Sequence, residues 1–288
     1  MKTLRTISIL SIIGLVLTSF NAKSSYISFE QALREKKIEI VILPKGGHSG
    51  NCIDIEVKNL TNKLLNLEMS PGTVFVPEDE EEQTLVTAKD QLLALNKNEV
   101  KNFKVFAYCT EASDRCPSKS SKFSMSTTSN TSLSKLTYFL DSLKNIDDGI
   151  IQNAIWCVTD SESVANVYSD DLKTSKALRN YLCLVTGQKD TWYSTRREVA
   201  LDVNNYIISI PKEIKGELSF LATEPVELQG VVKDSLGNVV YTNPNKTTCP
   251  AGKIRFEFKL KVQGWKPGNY AVVYTNNGKE VINQSFSF

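Results

Sequence analysis

Two residues stand out as able to do chemistry: Cys109, which closes the extended segment FAYC, and Gln152, which lies within the apolar run IIQNAIWCVTD at 150–160. On a helix, Gln152, Ile155 and Trp156 share one stripe by their three-and-four spacing. A carboxamide on a buried stripe needs partners, since leaving it unpaired costs about 1–3 kcal/mol. Hydrogen bonds to neighbouring backbone are one solution. The other is covalent: a cysteine sulfur attacks the glutamine side-chain carbonyl, ammonia leaves, and an internal thioester remains. Sheltered by an apolar wall, such an acyl group persists until an amine captures it as an isopeptide. Cys109 is the candidate nucleophile, Gln152 the candidate acyl donor, and Trp156 a candidate wall.

The elements around these residues set their placement. Residues 28–35 (SFEQALRE) read as a short helix, with Ser28 at the cap and Gln31 at the capping-box position. Period-two alternation follows over 37–43, 52–58 (Ile53, Ile55 and Val57 against Asp54, Glu56 and Lys58) and 65–69, predicting strands buried on one side. Residues 83–95 and 100–109 read as further strands. In the latter, Phe103, Val105, Ala107 and Cys109 share a face, so the thiol is expected to point into a β-sandwich spanning roughly 38–128. A Ser/Thr/Lys-rich loop at 118–134 leads into helical periodicity, with Leu133, Leu136, Phe139, Leu140 and Leu143 on one stripe. Asp147 and Asp148 suit the cap and first turn of the Gln152 helix. A third helix is expected over 171–185, stopped by Gly187. Trp192 and Tyr193 are expected to pack back onto these helices.

From Asn205 the chain reads as β again. KIRFEFKLKV (253–262) alternates without a break, and Asn276-Asn277-Gly278 is a type I′ hairpin signature. The expected fold is therefore mainly β: two β-sandwiches, the first (23–195) carrying a helical subdomain at about 131–188, the second (205–288) of immunoglobulin-like size. The first 22 residues, with Lys2 and Arg5 ahead of an uncharged run from Ile7 to Phe20, read as a signal peptide. That run is shorter than the roughly 20 apolar residues of a membrane span. The expectation is a secreted, periplasmic or cell-surface protein with no span in its mature chain.

Net charge is +2 with the basic residues scattered, which gives no footprint for nucleic acid. Six cysteines in an exported chain suggest disulfide bonds. Cys109 with Cys116, seven residues on, and Cys157 with Cys183, on adjacent helices, are the candidate pairs. No cysteine pair has zinc-site spacing and His48 stands alone, so no metal and no cofactor is expected. The lone histidine beside Ser49 also excludes a Ser-His-Asp triad, and no other catalytic set suggests an enzyme. The acidic run EDEEE at 78–82 reads as a solvated loop rather than a calcium loop, which needs alternating ligands and a glycine turn. Trp192-Tyr193 and Trp265 with Tyr270 could form sugar-binding platforms but read first as packing aromatics. Asn59, Asn130, Asn245 and Asn283 begin glycosylation sequons.

FAYC, then a Ser/Pro-containing loop, helices and the motif Q-x-A-I-W, resembles the thioester domains of bacterial surface adhesins. The likeness covers about residues 40–195, including SGNCIDIEVKNLTNK, PGTVF and EQTLV. In that family a strand-end cysteine and the glutamine of [TS]-Q-x-A-[IV]-W form the bond. By position this implies Cys109 and Gln152, with Ala154, Ile155 and Trp156 completing the motif. Ile151 departs from the family's hydroxyl residue, and a Cys109–Cys116 disulfide would consume the nucleophile. The carboxy-terminal part resembles small β-sandwich modules at the ends of secreted bacterial proteins. The resemblance implies an adhesion module that binds a protein or glycan at a cell surface, covalently through the thioester. The alternative is a non-covalent binding or structural protein in which the same residues are core.

Overall fold

A computed structural model describes residues 26–288; the expected signal peptide lies outside the described residues. The fold is mainly β, with several antiparallel sheets and a helical segment in the middle.

The chain opens with β1 (Ile27–Ser28) and helix α1 (Phe29–Arg34), capped as its sequence predicts: the Ser28 hydroxyl accepts from the Gln31 amide at 3.1 Å. Next come β2 (Ile38–Pro44), β3 (Ile53–Asn59), β4 (Leu65–Met69), β5 (Thr73–Pro77), β6 (Leu85–Val86) and β7 (Gln91–Leu95). They are followed by β8 (Val100–Val105), β9 (Tyr108–Cys109) and β10 (Phe123–Thr127). Three sheets form, ordered β1-β4-β7, β2-β3-β8 and β10-β5-β6-β9. The strand expected over 100–109 is broken at Phe106, and its two halves pair in different sheets. The strand expected over 83–95 is likewise split in two.

The β10-β5-β6-β9 sheet is the wall on which the site depends. Its alternate residues feed two hydrophobic clusters. Phe75, Leu85 and Cys109 face the β core with Ile53, Ile55 and Leu67; Val74, Val86 and Tyr108 face the helices. Buried on both sides, these strands cannot show the simple in-out pattern of a half-exposed sheet.

The helical segment comprises α2 (Thr131–Ser142), α3 (Asp148–Thr159) and α4 (Leu172–Thr186). Asn130 caps α2 and Asp147 caps α3, each accepting from a backbone N–H of the first turn. Gly187, at φ 74°, ends α4 in the left-handed conformation that favours glycine. Helix α3 is buried around most of its circumference rather than along a single stripe: Ile150, Ile151, Gln152, Ala154, Ile155, Trp156 and Cys157 are all enclosed.

The β structure resumes earlier than Asn205, with β11 (Tyr193–Leu201), then β12 (Ile207–Ala222), β13 (Val226–Asp234), β14 (Val239–Thr242), β15 (Thr247–Cys249), β16 (Gly252–Lys261), β17 (Asn269–Asn276) and β18 (Lys279–Ser287). Sheet β11-β12-β16 packs with the sheet β14-β13-β17-β18, to which β15 adds through β13. Asn277 (φ 49°) and Gly278 (φ 78°) both take positive φ, as a type I′ turn requires. The rings of Trp192 and Tyr193 pack on these sheets, not on the helices. Trp192 meets Phe258 at 5.7 Å and donates to the Ser285 carbonyl, while Tyr193 meets Phe286 at 6.0 Å. Their backbone and hydroxyl neighbours hold Arg179 of α4, which bonds Asp190, Thr191, Ser194 and the Tyr193 carbonyl. Trp265 and Tyr270 pack together with Phe286 and Phe288 as packing aromatics.

Of the sequons, Asn59 is 1% exposed and its amide bonds the carbonyls of Lys63 and Asn96, which removes it as a glycan acceptor.

At Gly216 a Cβ would stand 2.7 Å from the Trp192 carbonyl oxygen and 2.8 Å from its ring. Gly216→Ala is therefore expected to destabilise the carboxy-terminal sheets by about 1–3 kcal/mol, the usual cost of overpacking. Denaturant unfolding followed by tryptophan fluorescence checks this.

Candidate functional site

Three thiols and two carboxamides meet inside the β core. Cys109 lies on β9, the edge strand of the doubly buried sheet, and its side chain is fully enclosed. Cys116 reaches the same place from the following loop, and the two buried thiols are neighbours in the same core. Cys52, just before β3, completes the group, its thiol donating to the Ala107 carbonyl at 3.6 Å. The glycine-rich turn at 46–50 closes over them: a Cβ on Gly47 would touch the Cys52 sulfur at 3.9 Å.

Gln152 comes from α3 and is 2% exposed. Its Nε2 donates to the Cys109 carbonyl at 2.7 Å, and its Oε1 accepts from the Cys109 N–H at 3.1 Å. The carboxamide thus pairs with β9 as a neighbouring strand would, on the edge opposite β6. The His48 carbonyl also accepts from the Cys109 N–H, at 3.0 Å. Of the two solutions open to a buried glutamine, the structure displays hydrogen bonds to backbone. Ala154, Ile155 and Trp156 are buried behind Gln152, and the Trp156 ring lies 6.5 Å from that of His48, stacked at 18°.

The second carboxamide, Gln83, was not singled out by the sequence. It is fully buried, its N–H donates to the Arg115 carbonyl at 2.9 Å, and its Nε2 donates to the Asp114 carbonyl at 2.6 Å. The same Nε2 lies 3.6 Å from the Cys116 sulfur, and Oε1 has no partner. Backbone and side chain together clamp Gln83 alongside residues 114–116. The available signal was a glutamine between an acidic run and the apolar pair Leu85-Val86. That pattern reads equally well as the start of a strand, and only the approach of a loop 33 residues away distinguishes it.

Neither expected disulfide is present. All six cysteines are free thiols; Cys157 donates to the Ser163 carbonyl at 3.6 Å, and Cys183 is only partly buried. The Cys157 thiol is directed at a backbone carbonyl instead of at Cys183, as the Cys52 thiol is at that of Ala107.

Burial sets the state of the thiols. It pushes Cys52 up to about 12, with the neighbouring Cys116 and Asp148 adding to the effect. It pushes Cys109 well above the ordinary thiol value, reinforced by Cys116 and Cys52. Burial also lowers His48, leaving a neutral imidazole near the site. Tyr108 is raised by burial and by donating to Asp148 at 2.6 Å. Cys52 and Cys109 are therefore protonated, water-excluded sulfurs, not exposed thiolates.

No family model matches the chain, and neither does any curated protein. Among solved structures, red sea bream transglutaminase is 6% identical with a TM-score of 0.20, covering 90% of this chain and 32% of its own. A β-glucosidase from Kluyveromyces marxianus is 8% identical with a TM-score of 0.19, covering 82% of this chain and 44% of its own. The chain spans less than half the length of either, and likenesses this slight carry no argument about fold or function.

Replacing Gln152 by Leu keeps the bulk but orphans the Cys109 carbonyl. The expected loss is about 1–3 kcal/mol of stability, read by thermal or denaturant unfolding. Cys52 sets a second expectation. Its folded value of about 12 lies above the ordinary 9.0, so the unfolded chain loses this proton first as pH rises. The stabilisation is full below about pH 9 and is lost towards pH 12. Denaturant midpoints across that interval should show the wild-type advantage over Cys52→Ala shrinking.

Proposed function

We propose that this chain is an exported or surface-associated binding module whose β core carries a carboxamide and a thiol able to close into an internal thioester. The observation that carries the reading is the contact of the Gln83 amide with Cys116, 3.6 Å from nitrogen to sulfur, in a site from which water is excluded. Cys116 is the nucleophile and Gln83 the acyl donor. Gln152, with both polar atoms committed to the Cys109 backbone, is the positioning residue in this scheme, and Cys109 is the neighbouring thiol. This assignment moves the bond one glutamine and one cysteine away from the Cys109–Gln152 pair implied by the adhesin resemblance.

The chemistry balances without a cofactor. The Cys116 sulfur bonds to the Gln83 side-chain carbonyl carbon, the carbon–nitrogen bond breaks, and the thiol proton leaves with the nitrogen as ammonia. An incoming primary amine then forms an amide at the same carbon and restores the thiol. The Gln83 carbonyl oxygen has no hydrogen-bond partner, so the charge that develops there on attack has no donor in this structure and closure is expected to be slow. The Gln83 amide nitrogen, which must leave, lies 3.6 Å from the Cys116 sulfur, so the two groups are already neighbours. Each molecule would form one bond to one partner, a single-use link rather than enzymatic turnover.

A second reading has its own observation. Gln152 is fully satisfied by backbone, as a purely structural glutamine would be, which favours a non-covalent binder with the thiols as core.

Intact mass separates the two. The thioester reading expects a protein lighter by one ammonia, with the loss abolished in Cys116→Ala and in Gln83→Ala and with methylamine adding its own mass to the lighter species to leave an N-methyl amide. Loss of ammonia that survives Cys116→Ala but disappears in Cys109→Ala would return the bond to the strand-end cysteine. An unshifted mass would leave the non-covalent reading.

A further inference from the structure

On the outer side of the segments that hold Gln83 and Cys116 lies a cleft of about 730 Å³. Its floor is a ribbon of three short stretches: Glu82 bridges Arg115, and Arg115 bridges Tyr206. Because successive side chains of an extended segment alternate, Gln83 faces the core while Glu82 faces the cleft.

Glu82 is unusual. Its side chain is only 9% exposed, and its Oε1 stands 3.9 Å from Arg115. Its Oε2 is buried with no hydrogen-bond partner. The remaining charges around the cleft are already paired, Arg115 with Asp79 at 2.6 Å and Lys122 with Glu78 at 3.7 Å. Among the lining residues three carboxylates, Glu78, Asp79 and Glu82, face two cations, Arg115 and Lys122, with Glu81 also 4.0 Å from Arg115, so negative charge is in excess and Glu82 Oε2 is an enclosed oxygen without a donor. A buried carboxylate lacking a donor is costly, and the cost is relieved by a group that brings both a positive charge and an N–H.

We infer that this cleft binds a primary alkylammonium group, the side chain of a lysine in an extended segment of a partner. A second guanidinium fits poorly, because its planar fork needs both oxygens of a carboxylate and Oε1 already faces Arg115. An ammonium is a compact donor that one oxygen and the surrounding hydroxyls satisfy. A divalent cation would be repelled by Arg115, and among the described residues no cluster has the make-up of a metal site. Tyr206, 39% exposed at the edge, offers an aromatic face to the aliphatic stem and its charge. Recognition here is non-covalent and does not depend on the thioester.

Isothermal titration of the intact protein with Nα-acetyl-lysine methylamide tests the assignment. Saturable, salt-sensitive binding is expected. It should weaken about tenfold in Glu82→Gln, as for loss of one charged hydrogen bond, and be absent with the norleucine analogue. The readout is a reversible heat of binding that does not require the loss of ammonia, so a failed thioester leaves this result standing. Absence of lysine binding, equal affinity in Glu82→Gln, or calcium binding in its place would overturn the proposal. Should Glu82→Gln not fold, amide shifts in the wild-type protein decide: perturbation at Glu82, Arg115 and Tyr206 supports the site, and perturbation confined elsewhere refutes it.

Discussion

The pairing of one side-chain amide with the free edge of one strand ties this molecule together. Strand β9 is two residues long and lies at the margin of its sheet, where its outer C=O would otherwise be unpaired in an apolar interior and its N–H would rest on the His48 carbonyl alone. Gln152 supplies the missing donor and a second acceptor from α3, and so joins the helical segment to the sheet by hydrogen bonds as well as by packing. Burial around most of α3 accompanies this, with Asn153, Val158 and Thr159 left half-exposed.

The same enclosure governs the sulfurs. Cys52, Cys109 and Cys116 lie together behind the sheet, and burial holds Cys52 and Cys109 in their protonated forms. A protonated thiol in a dry pocket is a slow nucleophile towards solvent-borne reagents. A carboxamide already clamped beside a buried sulfur, as Gln83 is beside Cys116, does not have to diffuse there, and effective concentration replaces intrinsic reactivity. The two glutamines differ in this respect. Both polar atoms of Gln152 are committed to backbone, whereas Gln83 is half-satisfied, with its carbonyl oxygen unpaired. The contrast separates a structural amide from a potentially reactive one, although both are buried.

A second junction links the helices to the carboxy-terminal sheets. Arg179, largely buried on α4, gathers Asp190, Thr191, Ser194 and the Tyr193 carbonyl, so its charge is neutralised and its guanidinium donors are occupied where the chain turns into β11. Trp192 then lies flat against Gly216 on β12, a contact that only a residue without a Cβ permits. Farther along, Asn205 and Tyr206 return to pair with residues 115–116, bringing the second half of the chain to the back of the thiol site.

Local physics was legible in the linear chain. Capping by Ser28 and Asp147, the glycine stop at Gly187, the type I′ turn at Asn277-Gly278, the alternation of β3 and β16 and the burial of Cys109 all follow from interactions among near neighbours, and the structure contains each of them. Other features depend on which distant segments meet. The break at Phe106 arises because β8 and β9 serve different sheets; Trp192 turns to the sheets because Gly216 leaves room for its ring; the thiols remain unbridged with acceptors already at hand. Gln83 is the sharpest instance. Its sequence neighbours make it an ordinary strand residue, and only the loop bearing Cys116, folded against it by long-range pairing, makes it a candidate acyl donor. Hydrophobic period and capping are short-range and therefore written in the order of residues, whereas the meeting of a carboxamide and a sulfur is a product of chain closure that no local pattern encodes.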